Sequence, residues 1–362
     1  MRKAWILAFT ALTSVGCGGG KHSEDSAQDC PVGSGGNCPP APPLDRTVIT
    51  TLAEAAKFLY AGPNALQKGV AKNALDPNHV AIVRGKLSDA QGDPIGGAKV
   101  SVVGHAELGW TLTRADGLFD MAVNGGGPVV FTYSKEGYVS TQRTLTPAWQ
   151  RYLNAPEVGL VELAAKASTV SAGSSTQQAI AAAPTTDAQG TRQPLVLFAP
   201  GTTAKAQLPD GSTQALSILS VHITEYPLDL MPKAPTRTQR FAPGSLPGSG
   251  NVNYTLEFTV EEAEALGATS VAFSKPATVY VENFLGLRAG SPVPLGYYDR
   301  AVSHWDSGNT AGQVVRIVAT KGGQAALDVD GDGKADTGRP LSELGVTDEE
   351  VTELAGRYQV GQ

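Results

Sequence analysis

Short β-rich runs alternate with turn-forming residues between Val80 and Leu163. The run Val80–Leu87 is strand-like, and the Gly92-Asp93-Pro94 stretch that follows it is typical of a turn. At least six such runs occur in this region, at the roughly 8–12-residue spacing that is typical of sandwich folds. The pattern therefore predicts a β-sandwich over residues 80–163.

A second set of strand-like runs predicts another β-domain over residues 194–285. The runs are Pro194–Phe198, Leu216–Tyr226, Val252–Val260 and Val279–Phe284. The proline-rich residues 227–250 interrupt the pattern and are predicted to form a long surface loop. Residues 164–193 are rich in Ala, Ser and Thr with weak patterning, which leaves a linker and edge strands as alternatives.

Helical spacing of apolar residues is confined to short segments. Within residues 51–79, Thr51–Tyr60 predicts a short helix that ends before Gly62-Pro63. Glu261–Gly267 predicts one helical turn that Gly267 closes. The capping box Thr347-Asp348-Glu349-Glu350 predicts a last helix running to about Arg357, inside a small C-terminal β-module of residues 286–362.

The first residues have the layout of a secretory signal. Arg2 and Lys3 precede an apolar run, Ala4–Leu12, that is too short to span a bilayer. The stretch Ser14-Val15-Gly16-Cys17 resembles the bacterial lipoprotein box, with serine where leucine is commonest. The resemblance implies removal of residues 1–16 and a lipid on Cys17, so that the chain is anchored to a membrane. The alternative is an ordinary signal peptide in which Cys17 is incidental.

Residues 17–50 are predicted to form a tether between this anchor and the folded part, because they contain few apolar side chains that could be buried in a core. Its proline-rich end is expected to be semi-rigid. The predicted location is the cell envelope, lipid-anchored at the cell surface or outer membrane. Gly18, which is not aspartate, favours the outer membrane if the cell is Gram-negative.

The chain contains three cysteines. If Cys17 carries lipid, Cys30 and Cys38 are left to pair across a short flexible segment in an oxidising compartment. The alternative is two free thiols in the tether. A metal site is disfavoured because no histidine or further cysteine lies at ligand spacing.

Charge limits the class of partner. The formal net charge is −6, the pI is about 5.4, and no basic run occurs. These features argue against nucleic acid as a partner. The predicted partners are the membrane, through the lipid anchor, and a surface polymer or another protein.

Several motifs in the first β-domain resemble the carboxypeptidase regulatory-like domain. They lie at residues 85–89, 92–100, 113–119 and 136–138. That family is a transthyretin-like, immunoglobulin-like sandwich and is usually a non-catalytic accessory. The expected fold class is therefore mainly β, with tandem Ig-like or transthyretin-like sandwiches and a small C-terminal module that contains a calcium loop.

A wider series of motifs, from about Phe58 to Leu354, resembles the N-terminal region of bacterial RHS-repeat surface proteins. In chain order the motifs are FLYAGPNALQKGV, NGGG, SVHITEYPL, YTLEFTVEEAEALGA, VYVENFLG, VPLGYYDRA and LDVDGDGKAD. The YD repeats and the effector of that family are not in this sequence, so toxin activity does not carry over. The resemblance implies a role as an extracytoplasmic β-module in adhesion, display or assembly.

The sharpest chemical motif is the acidic run that begins at Asp328. Asp328, Asp330, Asp332 and Asp336 occupy relative positions 1, 3, 5 and 9, and Gly333 allows a sharp turn at position 6. Hard oxygen ligands at this density suit a structural Ca²⁺ ion. Position 12 is Arg339, so the Lys334 carbonyl, Glu343 or water are alternatives for completing the coordination. The other alternative is an acidic turn that binds nothing.

Catalytic motifs are weak or missing in the sequence. It contains no G-x-S-x-G elbow, no phosphate-binding glycine loop that follows a strand and opens a helix, and no histidine pair at metal-ligand spacing. We therefore expect no enzyme activity, with a secreted or envelope hydrolase or a glycan-binding protein as the alternative. A group of aromatic residues could form a sugar-binding face, although core packing is favoured. These residues are Tyr280, Phe284, Tyr297, Tyr298 and Trp305.

Overall fold

A computed structural model describes residues 47–227, 240–246, 254–306 and 311–362. Strands dominate these residues, which confirms the predicted mainly β fold. The described residues fall into two compact units. Of the described residues, the N-terminal unit comprises 47–163, 226–227, 240–246 and 254–255, and the C-terminal unit comprises 164–225, 256–306 and 311–362.

Ten strands and three short helices of the N-terminal unit lie wholly within its described residues. They are α1 (Leu52–Ala55), α2 (Lys57–Tyr60), β1 (Val80–Ser88), β2 (Lys99–Val102), a 3₁₀ helix (Ala106–Leu108), β3 (Trp110–Leu112), β4 (Leu118–Asn124), β5 (Val129–Ser134), β6 (Tyr138–Val139), β7 (Thr141–Leu145), β8 (Tyr152–Asn154), β9 (Val158–Gly159) and β10 (Val161–Glu162).

Two sheets enclose the core of this unit. One has the order β4-β1-β8, with β9 also paired to β1, and the other has the order β3-β2-β5-β7. Alternate residues of β1, such as Val83 and Leu87, point into the core with Phe119, Phe131 and Tyr133. This alternation is what the period-2 pattern of the sequence predicts.

The opposite face of β1 is also buried at its beginning. Val80 and Ile82 pack against Ala56 and Leu59 of the two short helices. The predicted single helix is divided in two at Ala56, and Thr51 caps the first of them by accepting a hydrogen bond from the Glu54 amide. The helices therefore cover a sheet face that would otherwise expose apolar side chains to water.

The buried side chain of Gln67 closes the edge of β4. Its Nε2 donates to the carbonyl oxygens of Leu108 at 2.7 Å and Ala122 at 2.9 Å, while its Oε1 accepts from the Ala122 amide at 2.7 Å. An unpaired strand edge is a template for wrong pairing, so a side chain that bonds both backbone groups of an edge residue protects the sheet.

Residues 240–246, here named the return segment, cover the edge of β7. The Gln142 amide donates to the Pro243 carbonyl at 2.9 Å, and the Arg143 guanidinium donates to the carbonyl oxygens of Arg240 and Ala242. Phe241 is buried with Val139 and Val161. The sequence predicted a surface loop over residues 227–250, and the return segment differs because Phe241 provides an apolar anchor.

The C-terminal unit contains the remaining strands and three helices among its described residues. They are β11 (Ser168–Ser171), β12 (Gln178–Ala181), β13 (Thr185–Asp187), β14 (Gly190–Arg192), β15 (Leu195–Phe198), β16 (Ala204–Gln207), β17 (Thr213–Leu216), β18 (Ile218–Glu225), β19 (Leu256–Val260), α3 (Glu261–Ala265), β20 (Ser270–Phe273), β21 (Ala277–Tyr280), β22 (Pro292–Pro294), β23 (Tyr297–Asp299), β24 (His304–Asp306), β25 (Ala311–Gln313), β26 (Arg316–Lys321), β27 (Gln324–Asp328), α4 (Arg339–Leu344) and α5 (Asp348–Arg357).

Three three-stranded sheets form the body of this unit. Their orders are β11-β18-β19, β12-β15-β21 and β17-β16-β20. β15 is buried on both faces: Val196 and Phe198 enter one core, while Leu195 and Leu197 enter a second core with Leu327 and residues of α5. Side chains between Val315 and Tyr358 therefore share a core with β12, β15 and β21, across the boundary at 285/286 that the sequence predicts.

The short helices follow the sequence signals. The capping box of Thr347 and Glu350 opens α5, which ends at Arg357 as predicted. Gly267, with a φ of +64°, follows α3 as the predicted left-handed residue. Residues 164–193, for which a linker and edge strands were alternatives, contain four strands.

Candidate functional site

The acidic loop, residues 328–336, begins at the last residue of β27. Asp328 is buried, whereas Asp330 and Asp332 are exposed. One carboxylate oxygen of each residue lies within 4.8 Å of the corresponding oxygens of the other two. The strand thus fixes the first carboxylate, and the turn brings the next two beside it.

Two glycines give the loop its shape. Gly331 and Gly333 both have a φ of +84°, a conformation that side chains with a Cβ rarely adopt. A Cβ on Gly331 would lie 2.4 Å from the Ala289 carbonyl oxygen. Glycine at this position is therefore required by backbone conformation and by close packing.

Backbone amides hold the carboxylates in place. Asp328 accepts hydrogen bonds from the amides of Gly331 at 2.6 Å and Gly333 at 3.0 Å. The amides two residues further along donate in the same way to Asp330 at 3.0 Å and to Asp332 at 2.7 Å. Each carboxylate oxygen retains further lone pairs after these bonds, so the group can still offer oxygen ligands.

Asp336 has a different position from the other three aspartates. Its Oδ2 accepts from the Val329 amide at 2.8 Å, and its own amide donates to the Leu327 carbonyl at 2.7 Å. These two bonds close the loop onto β27. The structure thus brings together Asp328, Asp330 and Asp332 and uses Asp336 to fasten the end of the loop.

The neighbouring charged side chains balance only part of the negative charge. Lys334 Nζ lies 3.4 Å from Asp332 Oδ2 at an exposed position, and Arg288 donates to the Gly331 carbonyl at 3.3 Å. Glu343 forms an ion pair with Arg339 at 2.7 Å within α4. Three close carboxylates repel one another, and a hard dication is the ligand class that relieves this repulsion.

The three cysteines are predicted to carry a lipid and a disulfide, and the histidines are not predicted to be metal ligands. Cys17, Cys30 and Cys38 lie outside the described residues. His79 and His105 pair with nearby carboxylates, and His222 lies between the Ala164 carbonyl at 2.6 Å and Glu261 at 2.7 Å.

The aromatic group of the C-terminal unit is mostly packed. Tyr298 is buried and its ring lies 5.4 Å from that of Trp305, while Phe284 lies under the Arg192 guanidinium at 4.9 Å. Burial raises the pKa of Tyr280. Tyr297 is exposed. The favoured core packing therefore holds for Tyr298, and Tyr297 is available to solvent.

Arg192 is a buried charged residue that sequence reasoning missed. Its side chain is 0% exposed and lies 2.6 Å from both Asp187 and Glu225. The hydrogen bond from Arg192 lowers the pKa of Asp187. Its strand, β14, is only three residues long. No local pattern of charged residues in the sequence predicts that Arg192 pairs with Asp187 and Glu225. The cluster ties the β13–β14 hairpin to the end of β18 by charge.

Within the ranges that the structure describes, no helix is long and apolar enough to cross a membrane.

Comparison with known families supports the identity of one domain. The family described as the teneurin TTR-like domain matches residues 75–160. Teneurin-4 of Mus musculus is 26% identical over 110 residues, which are 30% of this chain and 4% of that protein. Teneurin-3 of Danio rerio is 32% identical over 88 residues, 24% of this chain and 3% of that protein. The matched segment therefore spans a very small part of these relatives.

Similarity to solved structures is low. The 3-chlorocatechol 1,2-dioxygenase of Rhodococcus opacus 1CP matches with a TM-score of 0.21 and 12% identity, over 26% of this chain and 64% of that one. A streptococcal ancillary pilin matches with a TM-score of 0.18 and 12% identity, over 38% of this chain and 59% of that one. At these TM-scores, neither match indicates a shared fold or function. The comparisons support a transthyretin-like domain at residues 75–160.

Proposed function

We propose that the protein is a non-catalytic, lipid-anchored β-module of the cell envelope or cell surface that works in adhesion, display or assembly. The observation that carries this proposal is the match of residues 75–160 to the teneurin TTR-like domain. The motifs shared with the carboxypeptidase regulatory-like domain and with the N-terminal region of RHS-repeat proteins are consistent with the same role. The partner class is a surface polymer or a protein.

The use of charged side chains supports a structural role. Arg192 pairs with Asp187 and Glu225, and Arg300 forms a bidentate pair with Glu257 at 2.8 and 2.9 Å. A general acid or base needs a proton-transfer partner on a substrate within hydrogen-bond reach. In these two clusters the carboxylates accept hydrogen bonds from buried guanidinium groups within the fold, which is consistent with a structural role.

The proposal includes one structural calcium ion in the acidic loop. Asp328, Asp330 and Asp332 would supply carboxylate oxygens, with the Lys334 carbonyl and Asp336 as the remaining predicted ligands. When bound, the ion would neutralise the carboxylates and stiffen the connection between β27 and α4. Its role is therefore to order the C-terminal unit.

A substrate screen tests the absence of catalysis. The purified full chain is incubated with peptide, ester and glycan substrates, with and without Ca²⁺, and we expect no turnover. Robust turnover that one side-chain substitution abolishes would contradict the proposal and favour the envelope hydrolase.

Detergent partitioning tests the anchor. Cys17→Ser should move the protein from the detergent phase to the aqueous phase, because the lipid on that residue provides the membrane attachment. Cys30→Ser is the matched control: it should leave partitioning unchanged and remove the proposed Cys30–Cys38 disulfide. Aqueous partitioning of the unmodified protein would contradict the lipid anchor.

A further inference from the structure

Trp149 is a large aromatic residue that the N-terminal unit leaves exposed between β7 and β8. Its relative exposure is 57%. The indole Nε1 donates to the Gly125 carbonyl at 2.8 Å, and a Cβ on Gly126 would lie 1.9 Å from that nitrogen. The glycine backbone therefore lies directly against the edge of the indole. The ring is held in one orientation although much of its surface faces solvent.

His79 supports Trp149 from a second direction. The centroids of the two rings are 4.7 Å apart, at an interplanar angle of 41°. His79 Nδ1 lies 3.0 Å from Asp76 Oδ2, and Asp76 Oδ1 accepts from the Asn78 amide at 2.8 Å. His79, which contacts the indole, is thus itself held by an exposed ion pair with Asp76.

The next residue in the chain, Gln150, has a strained backbone. Its φ is +51°, which is uncommon for a residue with a side chain. Its amide donates to the Val80 carbonyl at 2.7 Å and its Nε2 donates to the Asn78 carbonyl at 3.3 Å. Strained positions that the surroundings hold in place are concentrated at ligand-binding sites.

This arrangement is poorly explained by stability alone. An indole stabilises a fold mainly through the apolar area that it removes from water, and more than half of this residue stays exposed. A hydrogen bond, a glycine contact and a ring contact nevertheless fix its position. Rigid, exposed aromatic side chains provide binding area at a low cost in conformational entropy.

The size of the surface and the polar groups linked to it indicate the ligand. A stable protein interface buries roughly 800 Å² per partner, which is far more than one indole offers. The groups linked to this indole are polar: His79 contacts the ring, Asp76 pairs with His79, and Gln150 follows Trp149 in the chain. A pyranose ring has an apolar face of C–H groups and an edge of hydroxyl groups. One aromatic plane with donors and acceptors beside it matches that chemistry.

We propose that Trp149, with His79, the Asp76 paired to it and the adjacent Gln150, is a platform that binds a pyranose unit of a surface polysaccharide. The sugar ring stacks on the indole, and its hydroxyl groups exchange hydrogen bonds with these polar residues. This inference rests on the proposed binding role of the module and specifies its partner class.

The test is binding of the purified full chain to an array of oligosaccharides built from glucose, galactose, mannose and N-acetylglucosamine. For the sugars that bind, Trp149→Ala should weaken affinity by about tenfold or more, because stacking on the indole is lost. His79→Ala should weaken it less. Val302→Ala is the control, since it removes an exposed apolar side chain of the C-terminal unit and should leave binding unchanged.

A second measurement does not depend on the variants folding. The unmodified chain is oxidised at tryptophan in the presence and absence of the bound oligosaccharide and mapped by mass spectrometry. The sugar should protect Trp149 and leave the oxidation of Trp110 and Trp305 unchanged.

Three results would overturn the platform: no binding on the array, equal affinity of Trp149→Ala, or Trp149-dependent binding of a protein in place of a sugar. Hydrolysis of the bound sugar in the same samples would instead contradict the non-catalytic function. The two failures are therefore distinguishable.

Discussion

The core of the N-terminal unit and the acidic loop of the C-terminal unit are ordered by opposite kinds of interaction. Phe131 and Tyr133 stack in a core from which water is removed, with ring centroids 6.5 Å apart. The acidic loop instead keeps its shape through backbone amides that donate to Asp328, Asp330 and Asp332. Apolar burial is insensitive to ions, whereas a group of like charges is sensitive to them.

The comparison implies that substitutions in the two regions will respond to different conditions. A core substitution should lower stability equally with and without calcium. A substitution in the acidic loop should lower stability mainly when calcium is present. The buried Arg192 cluster is charged like the acidic loop, but its counterions are Asp187 and Glu225 of the same fold. Its contribution to stability should therefore not depend on calcium.

The largest effect is expected for Phe131→Ala. The side chain is 0% exposed, so its removal leaves a cavity and should cost about 3–5 kcal/mol of the free energy of unfolding. Pulse proteolysis across a denaturant series, with peptides of the N-terminal unit followed by mass spectrometry, measures the loss. The loss of stability should be equal in calcium and in chelator. A loss confined to chelator would contradict the claim that this core does not depend on calcium.

Arg192→Ala should cost nearly as much, about 3–5 kcal/mol, because it leaves Asp187 and Glu225 without their buried counterion. Arg339→Ala is the matched control, since the Arg339–Glu343 pair is largely solvent-accessible, with side chains 86% and 52% exposed, and is worth roughly 0.3–0.5 kcal/mol. Equilibrium unfolding of both variants measures the difference. Equal costs would mean that the buried cluster contributes no more than a surface ion pair.

The Arg192–Asp187 bond also gives this cluster a pH dependence. The pKa of Asp187 is lowered in the folded state, so the pair stabilises the fold above the ordinary aspartate pKa. That contribution is lost as the pH falls through the lowered value. Arg192→Ala should therefore approach the unmodified protein in stability at strongly acidic pH.

Calcium should raise the stability of the C-terminal unit by ~2.7 kcal/mol when its concentration is a hundred times Kd. Chelator should lower the Tm and expose the chain after Gly322 to protease, and Asp330→Ala should abolish the response. Asp210→Ala is the matched control, because Asp210 also accepts from an amide two residues ahead but lies outside the carboxylate cluster. A calcium response that Asp210→Ala removes and Asp330→Ala keeps would contradict the assignment.

The smallest effect is expected for Glu350→Gln. Burial raises the pKa of Glu350, so its carboxyl contributes stability below its ordinary pKa, and this is lost as the pH rises through the raised value. Glutamine keeps a side-chain oxygen that can accept the hydrogen bond from the Thr347 amide, but it cannot ionise. The variant should equal the unmodified protein in acid and exceed it at neutral pH. Thermal melting from pH 3 to 8 measures this, with Glu54→Gln as control, because Glu54 is the exposed capping-box glutamate of α1.

Local sequence signals predicted much of the fold. The alternation in Val80–Leu87 and the turn at Gly92-Asp93-Pro94 predicted β1 and the turn after it, because both depend on neighbouring residues. The capping box at Thr347 predicted the beginning of α5 for the same reason. The spacing of aspartates and glycines also predicted that Asp328, Asp330 and Asp332 would converge.

Features that depend on distant residues were not predictable. Arg192 meets Glu225 thirty-three residues later, and the return segment covers β7 about a hundred residues away. The platform of Trp149 depends on glycines and a histidine from two other loops. Because such contacts are set by tertiary packing, no window of the sequence contains them.

Hydrogen exchange of the full chain in calcium and in chelator tests the central claim most directly. We expect calcium to slow the exchange of amides in residues 324–345 that surround the three aspartates. Exchange in residues 80–163 should be the same in both conditions, because apolar packing holds that domain. Identical exchange of residues 324–345 in calcium and in chelator would contradict the claim that an ion orders the acidic loop.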